Sequence, residues 1–195
     1  QRKKHRILVD SNDKPIGDKW TFDTENRKKY PTKKIPPSIR FPEIDEYYKE
    51  SQEYVKTHFT DNLGSLAEYP LYPTNFEATN DWLHQFFDQR FMEFGAYEDA
   101  IVKENSILNH SVLTPMLNVG LISPKEIVDE CLIYSKENNI PLNSTEGFIR
   151  QIIGWREFIR GIYEVKGSDE RTRNYWGFKK KIPASFYDGS TGIPP

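Results

Sequence analysis

The stretch 147–164, GFIRQIIGWREFIRGIYE, is predicted to be a helix that is apolar around well over half of its circumference, yet it contains three arginines. With about 100° of rotation per residue, Arg150 shares a polar stripe with Glu157 and Glu164, whereas Arg156 falls inside the apolar arc. Because a buried charge without a partner is costly, Arg156 requires an anion. That anion is either a bound ligand or a carboxylate on a neighbouring helix, such as Glu98, Asp99 or Glu130.

A second stretch with chemical potential is 109–124, NHSVLTPMLNVGLISP, which places Ser111 and Thr114 beside a short apolar helix. We expect this helix to start near residue 110, with Pro115 tolerated in its first turns. Free N–H groups at a helix start, together with adjacent hydroxyls, form a natural phosphate site. The alternative is that Ser111 only caps the helix. The sequence contains no glycine-rich dinucleotide or P-loop motif, so a phosphorylated ligand would bind without one.

The composition of the chain limits which other kinds of site it can contain. The single cysteine, Cys131, excludes an intramolecular disulfide and a four-cysteine metal site, and the four histidines lack metal-ligand spacing, so no metal site is predicted. Cys131 lies on an apolar helical stripe and is predicted to be a core residue. The net charge of −2 gives no general argument for nucleic acid. Basic residues around the aromatic run in 171–181 would suit a nucleic-acid backbone, although such a patch is more often simply solvated.

The elements that must position these residues are mainly helices. Within the basic, proline-containing stretch 1–42, the part from residue 7 to 22 could form a β-hairpin, and the part from 23 to 37 is predicted to be an extended, solvated linker. A modestly amphipathic helix follows over 43–59. From about residue 65 the chain is a series of helices without a strand pattern.

Local signals set the expected helix ends. Asn75 is predicted to cap one helix that Gly95 terminates. Ser123 and Glu126 form a capping box for the next helix. The arginine-containing helix should begin at a cap formed by Asn143 and Glu146, and it should run to about Val165. No apolar run approaches the ~20 residues of a membrane span, and no signal peptide is visible, which favours a cytoplasmic setting.

Four ordered motifs together resemble the photolyase/cryptochrome superfamily. The helix EGFIRQIIGWREFIRGIYE is similar to the superfamily's signature helix, whose core is Trp155-Arg156-Glu157-Phe158 in this chain. HSVLTPMLNVGLISPKEIV resembles the flavin-phosphate motif of the superfamily. GDKWTFDTENRKKYP and EFGAYEDAI resemble a linker and a turn of the photolyase-related branch, which includes the iron–sulfur bacterial cryptochromes and photolyases. The resemblance covers essentially the whole chain.

The resemblance implies a particular domain organisation. Members of the superfamily have an N-terminal α/β antenna domain, a connecting segment and a helical domain that holds U-shaped FAD. Residues 1–64 match the connecting segment, and residues 65–195 match the N-terminal part of the helical FAD-binding domain. Because the chain lacks an initiator methionine and stops in a loop-like sequence, we interpret it as a fragment of a longer protein. The antenna chromophore would bind the α/β domain that this chain lacks.

The resemblance also implies roles for individual residues. Its position-by-position match assigns FAD contacts to the following residues: Tyr97, His110, Ser111, Leu113, Thr114 and Arg156. His110 stands where the commoner motif has threonine, and Trp155 matches a tryptophan that lines the DNA-lesion pocket of cyclobutane-dimer photolyases. Cys131 does not fall where the branch has cluster cysteines, and Pro195 aligns with one of those cysteines. The sequence therefore gives no support for an iron–sulfur cluster.

The implied function of the longer protein is blue-light-driven electron transfer from FAD, with repair of UV-damaged DNA as the activity and damaged DNA as the partner. A cryptochrome-type photoreceptor without repair activity fits the same residues. A helical interaction module without a cofactor, in which Arg156 pairs with a protein carboxylate, is the alternative from another class. The fragment alone is expected to be inactive and to retain FAD weakly or not at all. The sequence identifies no catalytic residue and no oligomeric state.

Overall fold

A computed structural model of the chain describes residues 2–193, and it is mainly helical, as predicted. The α-helices in chain order are α1 (Arg2–His5), α2 (Glu46–His58), α3 (Phe76–Gln89), α4 (Phe94–Tyr97), α5 (Thr114–Val119), α6 (Pro124–Glu137), α7 (Leu142–Ile149), α8 (Trp155–Thr172) and α9 (Ser185–Asp188). Short 3₁₀ turns lie at Asp23–Glu25 and Phe91–Glu93, and a π-helical segment lies at Arg150–Gly154.

The chain divides into two compact units. One unit comprises the residues up to 44 together with 69–158, and the other comprises 45–68 together with the residues from 159 onward. All residues predicted to bind FAD or a DNA lesion belong to the first unit. The predicted domain boundary after residue 64 stays a prediction.

The predicted N-terminal β-hairpin is reduced to a single turn. Val9 and Pro15 form an isolated antiparallel bridge, and residues 2–193 contain no β-strand. The Asp10 carboxylate accepts hydrogen bonds from the backbone N–H groups of Asn12 and Lys14, both at 2.8 Å, which closes the turn. The backbone N–H of Asp10 donates to the Lys14 carbonyl oxygen at 2.9 Å, and that of Ile16 donates to the Leu8 carbonyl oxygen at 3.0 Å. The left-handed backbone at Leu8 and Gly17, with φ of 51° and 79°, ends the pairing there.

The predicted extended linker is largely solvated but is attached to the helices at a few buried side chains. The side chains of Phe22, Asn26 and Tyr30 are buried, and a 3₁₀ turn occupies Asp23–Glu25. The backbone N–H of Phe22 donates to a carboxylate oxygen of Glu146 at 3.1 Å. The prediction holds for most of residues 23–37, which are exposed and outside any regular helix or strand, and it fails at Asn26 and Tyr30, whose side chains are buried.

Helix α3 begins as predicted but ends earlier. The Asn75 side chain accepts a hydrogen bond from the first turn and so caps the helix. The helix ends at Gln89, however, and Gly95 lies inside α4 instead of terminating α3. A Cβ at Gly95 would lie 2.6 Å from the backbone nitrogen of Ser144. Gly95 is therefore required by the close approach of α4 to α7, not by a helix end.

Aromatic side chains form the centre of the first unit. The ring of Phe148 on α7 lies 4.8 Å from that of Phe86 on α3, and 5.5 Å from those of both Phe91 and Phe94. Edge-on and tilted contacts of this kind stabilise a core beyond simple area burial. Buried aliphatic and sulfur-containing side chains from α5, α6 and the π-helical segment complete the cluster, namely Met116, Ile127, Val128, Cys131 and Ile152.

Helix α6 is formed as its sequence predicts. The Ser123 hydroxyl accepts from the backbone N–H of Glu126 at 3.2 Å, and the Glu126 carboxylate accepts from the N–H of Ser123 at 2.8 Å. Cys131 is fully buried, which confirms it as a core residue. Burial raises the pKa of its thiol to about 12.

The arginine-containing helix differs from its prediction at both ends. It begins at Leu142, with Pro141 in the cap position, so Asn143 and Glu146 lie inside the helix and form no cap. The helical run continues through the π-helical segment and past Val165 to Thr172. An apolar stripe is typical of a buried surface, but only the residues up to Ile152 are buried. Beyond that point the prediction of burial was wrong, since the side chains of α8 are partly or largely exposed within residues 2–193.

Candidate functional site

The predicted phosphate segment has a different backbone from the one expected. Helix α5 starts at Thr114 rather than near residue 110, and Ser111 does not cap it, because Leu113 occupies the cap position. Val112 has a left-handed backbone with a φ of 53°, and this turn prevents the helix from starting earlier. Leu113 is buried in the core, whereas Thr114 is exposed.

Side chains from two neighbouring elements hold this segment in place. The Trp82 indole Nε1–H on α3 donates to the carbonyl oxygen of Ser111 at 2.9 Å. The His110 Nδ1 accepts from the backbone N–H of Leu108 at 3.4 Å, so its Nε2–H is the donor to the carbonyl oxygen of Glu98 at 3.2 Å. Because Glu98 follows Tyr97 in the chain, the structure brings the His110 ring close to the backbone next to Tyr97.

Tyr97 belongs to a second cluster that sequence reasoning did not identify. Its ring lies 4.9 Å from that of Tyr30, and the Lys34 ammonium lies 5.5 Å from the Tyr97 ring centre. Lys34 also forms an ion pair with Glu93 at 2.6 Å. Burial raises the pKa of the Tyr30 hydroxyl. Tyr30 and Lys34, from the N-terminal stretch of the chain, therefore contribute directly to the surroundings of Tyr97.

Arg156 lies at a cavity of about 480 Å³ in the first unit. Its half-buried guanidinium donates from Nη1 to the carbonyl oxygen of Ile152 at 2.8 Å. Within residues 2–193 it has no carboxylate within 4 Å, so the alternative ion pair with Glu98, Asp99 or Glu130 is not formed. The cavity is also lined by His5, by two basic residues, Arg6 and Lys125, and by two acidic residues, Asp129 and Glu157, and the rest of its lining is apolar.

The structure does not bring all predicted site residues to one cavity. None of the residues 110–114 lines the cavity at Arg156, and Trp155 does not line it either. The Trp155 side chain is 58% exposed, and its ring packs edge-on against that of Phe158 at 5.8 Å. The predicted site residues thus lie in three separate places: the Tyr97–His110 region, the Arg156 cavity and the exposed Trp155.

Among the arginines of residues 2–193, Arg150 has the most carboxylate partners, although its position on the polar stripe of the helix predicted exposure to solvent. Its guanidinium lies 3.4 Å from Asp23, 3.6 Å from Glu98 and 3.5 Å from Glu146, and its side chain is only 29% exposed. The solvent-stripe prediction was wrong because the connecting segment and α4 bring carboxylates to this side of the helix. The spacing from Glu146 to Arg150, which places them one helical turn apart, was the available signal.

The carboxylates around Arg150 have further partners. The Asn26 amide donates to Glu98 Oε2 at 2.9 Å, and the Gln151 amide donates to Glu98 Oε1. Asn26 and Glu146 are only 1% and 2% exposed. We call these residues the Arg150 network, consisting of Asp23, Asn26, Glu98, Glu146, Arg150 and Gln151. The network fixes the connecting segment to the helices of the first unit.

The basic and aromatic segment after α8 lies in the second unit. The ring of Trp176 packs edge-on against that of Tyr175 at 5.0 Å and stacks with that of Phe178 at 6.4 Å. All three aromatic side chains and the lysines of 179–181 are exposed. A role in nucleic-acid binding stays a prediction for this segment.

Residues 2–193 also lack a membrane-spanning helix and a cluster of metal-ligating side chains. No helix between residues 2 and 193 has the length and apolar character needed to cross a membrane. The same residues contain no group of three histidine, cysteine, aspartate or glutamate side chains placed to hold a metal ion. Pro195, on which the iron–sulfur prediction rests, lies outside the described residues.

Comparisons with known proteins define the class. Residues 1–70 match the family described as deoxyribodipyrimidine photo-lyase-related protein. The chain is 34% identical over 190 residues to a (6-4) photolyase from Agrobacterium fabrum, an alignment that covers 97% of this chain and 37% of that protein. It is also 43% identical over 100 residues to the uncharacterized protein R853 of Acanthamoeba polyphaga mimivirus, covering 51% of this chain and 76% of that one.

The chain belongs to the photolyase-related protein family, which confirms the family that its four motifs predict. It spans 37% of the length of the (6-4) photolyase that it matches.

Proposed function

We propose that the whole protein containing this chain is a flavin photoenzyme that repairs a UV lesion of the (6-4) class in DNA. The observation that carries the proposal is the similarity to a (6-4) photolyase along 97% of the chain. The four motifs that resemble the superfamily lie within this aligned chain and in the same order. In this proposal the chain supplies the connecting segment and the first part of the flavin-binding helical domain.

The chain's own residues would hold and orient the cofactor. Tyr97 is a proposed contact of the flavin, and Arg156 is the proposed cationic contact. The proposed contacts on the phosphate side are Ser111, Leu113 and Thr114, with His110 beside them. The fit is supported by Arg156, because only one bond of its guanidinium is taken up by the protein and two further cations, Arg6 and Lys125, line the same cavity. Arginine and lysine side chains suit a ligand that carries phosphates. When bound, FAD supplies the light-driven electron transfer.

The proposed role of Trp155 is contact with the DNA lesion. Its indole is largely exposed, which leaves it accessible to a base taken out of the helical stack. Base–aromatic stacking is worth about 1–3 kcal/mol per base. Replacement of Trp155 should therefore weaken binding of damaged DNA while flavin content stays the same.

The test uses the full-length protein and a duplex oligonucleotide that carries one (6-4) photoproduct. We expect a yellow preparation with flavin absorbance and loss of the lesion only under blue light. Arg156→Met should lower the flavin content, whereas Arg171→Met, which changes an exposed arginine, should not.

Two other outcomes of this experiment would contradict parts of the proposal. A flavin-containing protein that leaves the lesion intact after illumination of its reduced form would contradict the repair activity and indicate a photoreceptor. A colourless protein that cannot be reconstituted with FAD would contradict the flavin proposal as a whole. It would instead indicate an interaction module.

A further inference from the structure

The segment 171–187 of the second unit has an unusual distribution of charge. Its sequence, RTRNYWGFKKKIPASFY, contains five cationic and five aromatic side chains and no acidic one, in a chain whose net charge is −2. Every residue from 171 to 184 is exposed. Among residues 2–193, ion pairing takes up only one of the five cations, since Arg173 lies 3.7 Å from Asp169. The remaining positive charge is available to a partner.

A hydrogen-bonded turn connects three of the aromatic residues. The backbone N–H of Gly177 donates to the Asn174 carbonyl oxygen at 3.1 Å, and the Asn174 side-chain amide donates to the Phe178 carbonyl oxygen at 2.5 Å. Gly177 has a left-handed φ of 66°, a conformation that glycine adopts without strain. Because these bonds fix the turn, the neighbouring rings of Tyr175 and Trp176 start from a defined backbone.

The aromatic rings of this turn are among the most exposed of the described residues. The side chains of Tyr175, Trp176 and Phe178 are 87%, 74% and 75% exposed. The Trp176 and Phe178 rings are nearly parallel, with an interplanar angle of 16° and ring centres 6.4 Å apart. Adjacent apolar rings that stay in contact with water mark an interaction site. The lysines of 179–181 follow these rings directly in the chain.

The combination of cations and rings selects the kind of partner. Lysine is depleted in protein–protein interfaces, and a segment that lies on a membrane is typically a long amphipathic helix. The only helix between residues 174 and 187 is the start of the four-residue α9. A nucleic-acid strand offers phosphates to the cations and flat bases to the rings. In a duplex the base faces are already stacked on one another, so a single strand fits better.

We infer that the segment 171–187 is a binding surface for single-stranded nucleic acid. Its cations contact the phosphates, and the rings of Tyr175, Trp176 and Phe178 stack on unpaired bases. This surface goes beyond the proposed repair function, because binding requires neither flavin nor a lesion. DNA and RNA strands both carry phosphates and base faces, and the experiment compares the two.

The test measures fluorescence anisotropy of a labelled, undamaged oligothymidylate titrated with the 195-residue chain in the dark. We expect binding that weakens with salt, because each phosphate contact contributes about −0.7 to the slope of log K against log salt concentration for a single strand. Five cations limit this slope to about −3.5. An oligouridylate should bind comparably, and a duplex of the same length should bind at least about tenfold more weakly, since its bases cannot stack on the rings.

Two sets of substitutions separate the charge from the rings. Replacement of Lys179, Lys180 and Lys181 by glutamine should weaken binding and make the slope shallower by about 2. Lys28→Gln combined with Lys29→Gln, which also changes exposed lysines, should leave both quantities unchanged.

Trp176→Ala should weaken binding by about 5- to 150-fold, the range for loss of one stacked base, and it should leave the slope unchanged. The matched control is Tyr47→Ala on α2, which removes another exposed ring and should have no effect. Since both side chains are exposed, neither substitution should change the fold measured by circular dichroism.

Four results would overturn the inference. They are absence of binding at low salt, unchanged affinity in Trp176→Ala, equal affinity for the duplex, and equally strong competition by polyglutamate, a polyanion without bases. Competition by phosphatidylserine vesicles that is lost in the lysine and tryptophan variants would assign the surface to membranes instead. Because the oligonucleotides carry no lesion and the measurement uses no light, failure of the repair experiment would leave these results unaffected.

Discussion

Replacement of Arg150 by methionine is the sharpest test of the buried polar network. The methionine keeps most of the side-chain length but removes the cation that forms an ion pair with Glu98. The side chains of Glu98 and Glu146 are 9% and 2% exposed, so both carboxylates would remain in a poorly solvated place. Leaving a buried charge without its partner costs about 3–5 kcal/mol.

We expect the lower end of that range, about 3 kcal/mol. Glu146 keeps its bond from the Phe22 N–H, and Glu98 keeps its bond from Asn26, so each carboxylate retains a donor. The Arg150 side chain is also 29% exposed, which allows water to compensate part of the loss.

The assay is urea unfolding of the 195-residue chain, followed by circular dichroism. Arg171→Met is the control, and it should change the free energy of unfolding by less than about 0.5 kcal/mol because Arg171 is exposed. Glu146→Gln added to Arg150→Met should recover part of the loss, since one uncompensated charge is removed. A loss below about 1 kcal/mol for Arg150→Met, or full additivity in the double variant, would refute the reasoning.

Three further predictions concern the fold. Gly95→Ala should lower the free energy of unfolding by about 1–3 kcal/mol, because the new Cβ would meet backbone atoms of α7. Gly161→Ala, where a Cβ meets open space, should raise it by up to ~1 kcal/mol. Equal effects of the two substitutions in urea unfolding would contradict the close approach at Gly95. Ser123→Ala should cost about 1 kcal/mol in the same assay by removing the cap of α6, and an unchanged midpoint would count against it. Cys131 should react with a thiol reagent at pH 8 only as fast as the chain unfolds, because it is buried and its pKa is raised to about 12; rapid labelling would show that it is accessible.

Features that depend on a few neighbouring residues were predictable. The cap at Asn75 and the capping box of Ser123 and Glu126 involve side chains that bond within one turn of the chain. The family was predictable because four motifs keep their order along the sequence. Gly95 shows the limit of such local signals, because glycine is expected both at the end of a helix and where two helices approach each other closely.

The choice between Arg150 and Arg156 could not be made from one helix alone. Projection around the axis identifies which side of a helix is apolar, but it does not identify the elements that cover that side. Asp23 and Glu98 approach Arg150 from parts of the chain 127 and 52 residues away. The burial of Arg90, which is only 1% exposed at the end of α3, was not predicted for a related reason. A single charged residue at the end of an aromatic helix gives no sequence signal that it is buried.

The π-helical segment Arg150–Gly154 separates the long helix into two parts, α7 and α8, whose side-chain directions can change independently in evolution. A π-turn is equivalent to one residue inserted into an α-helix. Deletion of Ile153 would restore a regular α-helix and rotate every later residue by about 100° relative to α7. The contacts between Arg150 and its carboxylates would be conserved, while Trp155 and Arg156 would face new directions. Insertion or loss of one residue at this point therefore offers evolution a way to redirect Trp155 and Arg156 without rebuilding the core that anchors the helix.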